Sequence, residues 1–171
     1  MAEREPAGEE EISDRKEPLL VSACLLGLVT RYDGGDERRG TVVALGERYH
    51  LIPVCPEQLG GLPTPRPGAE IIAGDGDDVF AGRARVETAD AVDVTSAYVR
   101  GAAESVKLAG ILDARQAVLK ARSPSCGCHE IYDGSFRGVC RPGRGVTAAA
   151  LARAGVRSWD EDDVAEGRFG R

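Results

Sequence analysis

Aromatic side chains are scarce: four Tyr, three Phe and one Trp make up 5% of the chain. So few rings argue against the stacking platforms that hold single-stranded nucleic acids. No run of eighteen or more apolar residues is present, so the sequence offers no candidate membrane-spanning helix. The first seventeen residues also lack the apolar stretch of a secretory signal, and the two absences together predict a cytoplasmic protein. Blocks of Lys or Arg are missing, which removes the phosphate-neutralising surface a duplex-binding protein needs; nucleic acid is not the expected partner. Missing too are the C-x2-C pairs of zinc ribbons and the compact cysteine run of bacterial ferredoxins.

The 171 residues suffice for one domain, and 42% hydrophobic content supports a core built on Val, Leu, Ile and Ala. With 22 Gly and 9 Pro the chain is rich in loops. The net charge of -6 comes from the ends: residues 1–17 carry seven acids against three bases, and residues 160–171 carry five against two. The division expected is a disordered acidic tail over 1–17, a single α/β domain over 18–160, and an acidic C-terminal tail over 161–171.

Short apolar runs at Leu19-Leu20-Val21-Ser22-Ala23, Leu51-Ile52-Pro53-Val54 and Ala117-Val118-Leu119-Lys120-Ala121 read as strands buried on both faces. A short helix is expected over 41–49, a long one from Asp93 or Thr95 to about Leu112, and an Ala-rich one over 146–154 closed by Gly155, with a last strand at 156–159. Residues 71–72 and 83–87 predict a small antiparallel hairpin around a solvated turn over 74–78. The alternation gives an α/β fold: a Rossmann-like, mostly parallel sheet flanked by helices, with that hairpin as an excursion.

Each of three cysteines follows a strand end: Cys24, Cys55 and Cys126. Ligands in parallel sheets sit beyond the carboxyl ends of the strands, so thiols 31 and 71 residues apart can meet on one rim. Three thiolates without a clear fourth suit a metal or cluster that keeps one coordination position open, although a single free cysteine is more often a small buried hydrophobe. Ligand softness alone admits zinc, cuprous copper or an iron-sulfur cluster. Cys126-Gly127-Cys128 also admits a metal-free redox pair, and Cys128 or His129 a closing fourth ligand; Cys128 and Cys140 read as bystanders.

Eight segments in order, 21–27 (VSACLLG), 31–34 (RYDG), 55–57 (CPE), 60–66 (GGLPTPR), 93–95 (DVT), 123–127 (SPSCG), 131–134 (IYDG) and 145–148 (GVTA), resemble the thiouracil desulfurase (desulfidase) family. The resemblance runs from about Leu19 to Trp159. It implies a 4Fe-4S cluster on Cys24, Cys55 and Cys126, and replacement of the sulfur of a thiolated pyrimidine, as free base or nucleoside, by oxygen from water. Glu57, two residues after Cys55, is then the expected proton acceptor for water, and Ser123 the hydroxyl that positions water or base. Ser125, Arg66 and Arg31 are candidate substrate contacts. Each has a plainer alternative: a turn hydrogen bond for Ser125, a salt bridge to Glu70 for Arg66, a turn role for Arg31. Oligomeric state has no sequence signature here.

Overall fold

A computed structural model describes residues 16–171. All but the last two residues of the expected N-terminal tail lie outside them, and Glu17 already belongs to the first strand, β1 (Glu17–Ser22). Leu19, Leu20 and Val21 are fully buried, as a continuous apolar run predicts for a central strand covered on both faces. β1 pairs in parallel with β2 (Tyr49–Val54) on one side and with β5 (Gln116–Leu119) on the other, and β5 pairs in parallel with β8 (Arg157–Asp160). The sheet order is β2-β1-β5-β8, the parallel α/β sheet expected.

Side-chain alternation divides the core in two. Leu20, Ala117 and Leu119 face one way and meet Ala109 of α4 (Thr95–Leu112) and Leu151 of α5 (Val146–Arg153). Leu19, Val21 and Val118 face the other way, toward Val42 of the short helix α1 (Gly40–Val43) and Val164 of α6 (Glu161–Ala165). A third cluster lies beneath two hairpins, β3 (Ala69–Ile72) with β4 (Arg85–Thr88) and β6 (Glu130–Tyr132) with β7 (Cys140–Pro142). No helix among the described residues is long and apolar enough to cross a membrane.

Two expectations need correction. The solvated turn over 74–78 instead starts helix α3 (Gly76–Phe80), because Asp75 and Asp78 form a reciprocal cap on its first turn. The tail over 161–171 is folded. Asp160 and Asp163 cap α6 in the same way, Glu161 and Asp163 are 3% exposed, and Phe169 sits edge-on to Tyr49 and Trp159 with centroids 5.6 and 5.9 Å away. The acids of the expected tail serve as caps and buried ion-pair partners.

One close approach fixes where the second cysteine lies. After Cys55 comes a single helical turn, α2 (Pro56–Leu59), and it meets α4 at two glycines. A Cβ on Gly101 would stand 1.9 Å from the Pro56 carbonyl oxygen, and one on Gly60 would stand 2.0 Å from that of Ala97. Backbone atoms block both positions, so no rotamer change relieves the overlap. Gly101→Ala therefore forces α2 and α4 apart, at a cost of about 1–3 kcal/mol despite alanine's better helix propensity. Urea denaturation of the variant should show that loss; stability equal to or above the parent's would refute the packing argument.

Candidate active site

The three strands that carry the cysteines are neighbours in the sheet and point the same way. Cys24 lies in the 3-10 turn directly after β1 (Ala23–Leu26), and Cys55 is the residue before α2. Cys126 lies in the loop that follows β5. All three line one cavity of about 500 Å³ at the carboxyl edge of the sheet. Their thiols are near enough to influence one another: Cys24 and Cys55 each help to raise the pKa of Cys126. Burial is the main cause of that rise, which takes Cys126 to about 12 with the nearby Ser22 hydroxyl opposing it. Burial likewise lifts Cys24 to about 11, with the Lys120 ammonium opposing it. Thiols in such surroundings stay protonated near neutrality unless a cation claims them, and metal coordination deprotonates a thiol outright.

Three soft thiols on one rim suit a centre that keeps one coordination position open, and Cys24, Cys55 and Cys126 form such a set in the cavity. Cys128 does not join them. It lines a separate cavity, its Sγ 3.4 Å from the Trp159 carbonyl oxygen. Nor does His129, whose Nε2 lies 2.7 Å from Asp163 Oδ2, while Cys140 stands on β7. Asp163 also pairs with Arg168 at 2.8 Å and caps α6, so the His129 group is occupied by structural bonds.

Glu57 lies in the first turn of α2, beside Cys55, and opens onto the same cavity. Arg66 holds it: Nε donates to Glu57 Oε2 at 2.5 Å. The expected alternative, a salt bridge from Arg66 to Glu70, is not formed. The guanidinium, its side chain 4% exposed, also donates to the carbonyls of Thr30 (3.0 Å) and Pro63 (3.2 Å) and to the Thr64 hydroxyl (3.0 Å). Burial works against its charge, yet the Glu57 carboxylate more than offsets this and raises the Arg66 pKa. Tyr98, buried on α4, lines the same cavity as Glu57; burial and that carboxylate push the phenol well above its ordinary value.

Of the two serines, one lines the cavity and the other does not. Ser123 lines the cavity, and its Oγ accepts from the backbone N–H of both Ser125 and Cys126 at 3.1 Å, fixing the turn that carries the third thiol. Ser125 faces away: it is 1% exposed, with its hydroxyl 2.8 Å from that of Thr147 on α5. It is a packing residue rather than a substrate contact, because the turn that presents Cys126 sends the intervening side chain inward. Arg31 does reach the cavity, where it is braced by Asp33 (3.1 Å) and by Glu37.

Sequence reasoning passed over a second ion pair in the wall. Lys120 Nζ meets Glu161 Oε1 at 2.5 Å, and Glu161 Oε2 accepts from the Ala121 N–H at 2.7 Å. The D-x-x-D spacing of Asp160 and Asp163 was the available signal that residue 161 opens a helix rather than a tail. Arg66→Ala would leave the half-buried Glu57 without its cation and strip its charged hydrogen bond, at a cost of about 1.5–3 kcal/mol. Urea denaturation of metal-free protein should report that loss and Arg66→Lys a smaller one; an Arg66→Ala chain as stable as the parent would show that the pair carries no such role.

Comparison with known proteins bears on the same region. The family model described as 2-thiouracil desulfurase matches residues 19–163. YbbK of Bacillus subtilis (strain 168), an uncharacterised protein, is 43% identical over 146 residues, which are 85% of this chain and 97% of that one. The solved structure of TudS, described as a 4Fe-4S-dependent thiouracil desulfidase, superposes with a TM-score of 0.76 at 42% identity, covering 88% of this chain and 95% of that one. The match spans all three cavity cysteines, Glu57 and Ser123, and the chain belongs to the 2-thiouracil desulfurase family.

Proposed function

We propose that this chain is a 4Fe-4S-dependent desulfurase that replaces the thiocarbonyl sulfur of a thiolated pyrimidine, of the 2- or 4-thiouracil type, with oxygen from water. The observation that carries the reading is the meeting of Cys24, Cys55 and Cys126 with Glu57 in one cavity, on a fold shared with a thiouracil desulfidase. The three cysteines would hold the cluster, and its iron without a protein ligand supplies a thiophilic Lewis acid for the thione sulfur.

The chain's own groups supply the rest. Glu57 accepts the proton of the attacking water, and Arg66 fixes that carboxylate in direction. Tyr98 lines the cavity from the α4 side. Ser123 orients water or base from the loop of the third cysteine, and Arg31 at the cavity wall is the candidate donor to the pyrimidine carbonyl. The carbon gains the oxygen of water, and the sulfur departs as hydrogen sulfide. Neither carbon nor sulfur changes oxidation state, so no electron donor is needed.

Anaerobic reconstitution should give about four irons per chain, with sulfide released from thiouracil. Glu57→Gln should retain that iron while turnover falls roughly 100- to 10,000-fold. Turnover that persists after iron removal would point instead to a metal-free thiol enzyme working through Cys126 and Cys128. A fully loaded chain that releases no sulfide would point to a non-catalytic iron-sulfur protein.

A further inference from the structure

Six of the eight aromatic residues are buried or half-buried. The two exposed ones, Tyr32 (48%) and Phe136 (38%), both line the cavity that holds the cysteines. They come from separate loops, Tyr32 from the segment after the first cysteine and Phe136 from the tip of the β6–β7 hairpin. A protein so poor in rings leaves its exposed pair at one opening.

The hairpin tip is held there against its own preference. Phe136 has φ +57°, a left-handed conformation that a bulky residue adopts only when its surroundings impose it, and such strain collects at ligand clamps. What imposes it is Glu70. This residue, 8% exposed on β3, accepts with one carboxylate oxygen from the N–H of Gly134 (2.9 Å) and of Phe136 (3.0 Å). Gly134 packs directly on β3, where a Cβ would stand 2.7 Å from the Ile71 carbonyl oxygen. Arg66 is engaged by Glu57, and Glu70 forms no salt bridge among the described residues. A buried carboxylate is costly. Its two backbone bonds set the place of one exposed ring. On the other loop, the Tyr32 carbonyl accepts from the Arg66 N–H at 2.8 Å, which ties that ring to the residue bracing Glu57.

From this we infer that Tyr32 and Phe136 form a ring-recognition rim that selects a planar heteroaromatic thione over an open-chain thioamide, with Glu70 as the positioning residue for Phe136. The inference rests on the desulfurase reading for its reacting group but not for its ring. A flat π-face offers contact area to a pyrimidine that thiourea or thioacetamide does not have.

Uracil has the ring without the sulfur, so its binding to anaerobically reconstituted protein reports the rim apart from the chemistry. Calorimetry should show binding about tenfold weaker for Phe136→Ala and near the parent value for Phe136→Tyr. Glu70→Ala should weaken it to a similar degree, Glu70→Gln should restore most of it, and the double variant with Phe136→Ala should be no weaker than Phe136→Ala alone. In turnover, Phe136→Ala should lower the ratio of kcat/KM for 2-thiouracil to that for thioacetamide about tenfold. Uracil affinity and substrate ratio both within twofold of the parent in Phe136→Ala would overturn the rim. A loaded parent protein that binds uracil through Phe136 yet releases no sulfide from thiouracil would uphold the rim and refute the desulfurase reading.

Discussion

Parallel pairing of β1 with a neighbour on each side is the constraint from which the site follows. Because β2, β1 and β5 run the same way, the residues after Ser22, Val54 and Leu119 emerge on one edge. Reversing β2, a six-residue strand, would carry Cys55 to the opposite edge, roughly 20 Å away. Direction alone does not finish the work. Cys24 is presented by a 3-10 turn, Cys55 by the start of a single helical turn wedged against Gly101 of α4, and Cys126 by a serine-bonded loop. Three unrelated local devices thus act at equivalent places in the sheet.

The cavity is lined with charges, and each is engaged. Glu57 has Arg66, Lys120 has Glu161, and Glu70 has two backbone donors. Buried pairs of this kind add little net stability, since desolvation consumes much of their attraction. What they supply here is position. Arg66 ties Glu57 to the carbonyls of two loops, and Glu161 clamps both Lys120 and the Ala121 backbone where the strand gives way to the loop of the third thiol.

The parallel sheet and its cysteines were legible because both depend on short-range patterns: apolar runs of strand length and a thiol after each. The long helix was legible for the same reason, its buried stripe of Ala97, Tyr98, Gly101, Ala102 and Ala109 following helical spacing. Long-range polar choices were not. Arg66 lies within reach of two acids in sequence, Glu57 and Glu70, and only the packing of α2 on α4 shows which one it meets. Ser123 and Ser125 are separated by one proline and have the same chemistry; which faces the cavity depends on a turn closed by backbone bonds to α5. Residues 160–171 misled by composition, since acids that cap a helix and acids that solvate a tail count alike.

A serine oxygen has two lone pairs, and the backbone bonds to Ser125 and Cys126 engage both in Ser123. The hydroxyl is left as a one-way group that can give hydrogen but not receive it. Whatever atom settles against it must bring electron density of its own, as a thione sulfur, an amide oxygen or a water oxygen does. A ring N–H or a thiol S–H turned that way would be stranded without an acceptor, at a penalty of about 1–3 kcal/mol. On its side of the cavity this single oxygen therefore offers a donor and no acceptor.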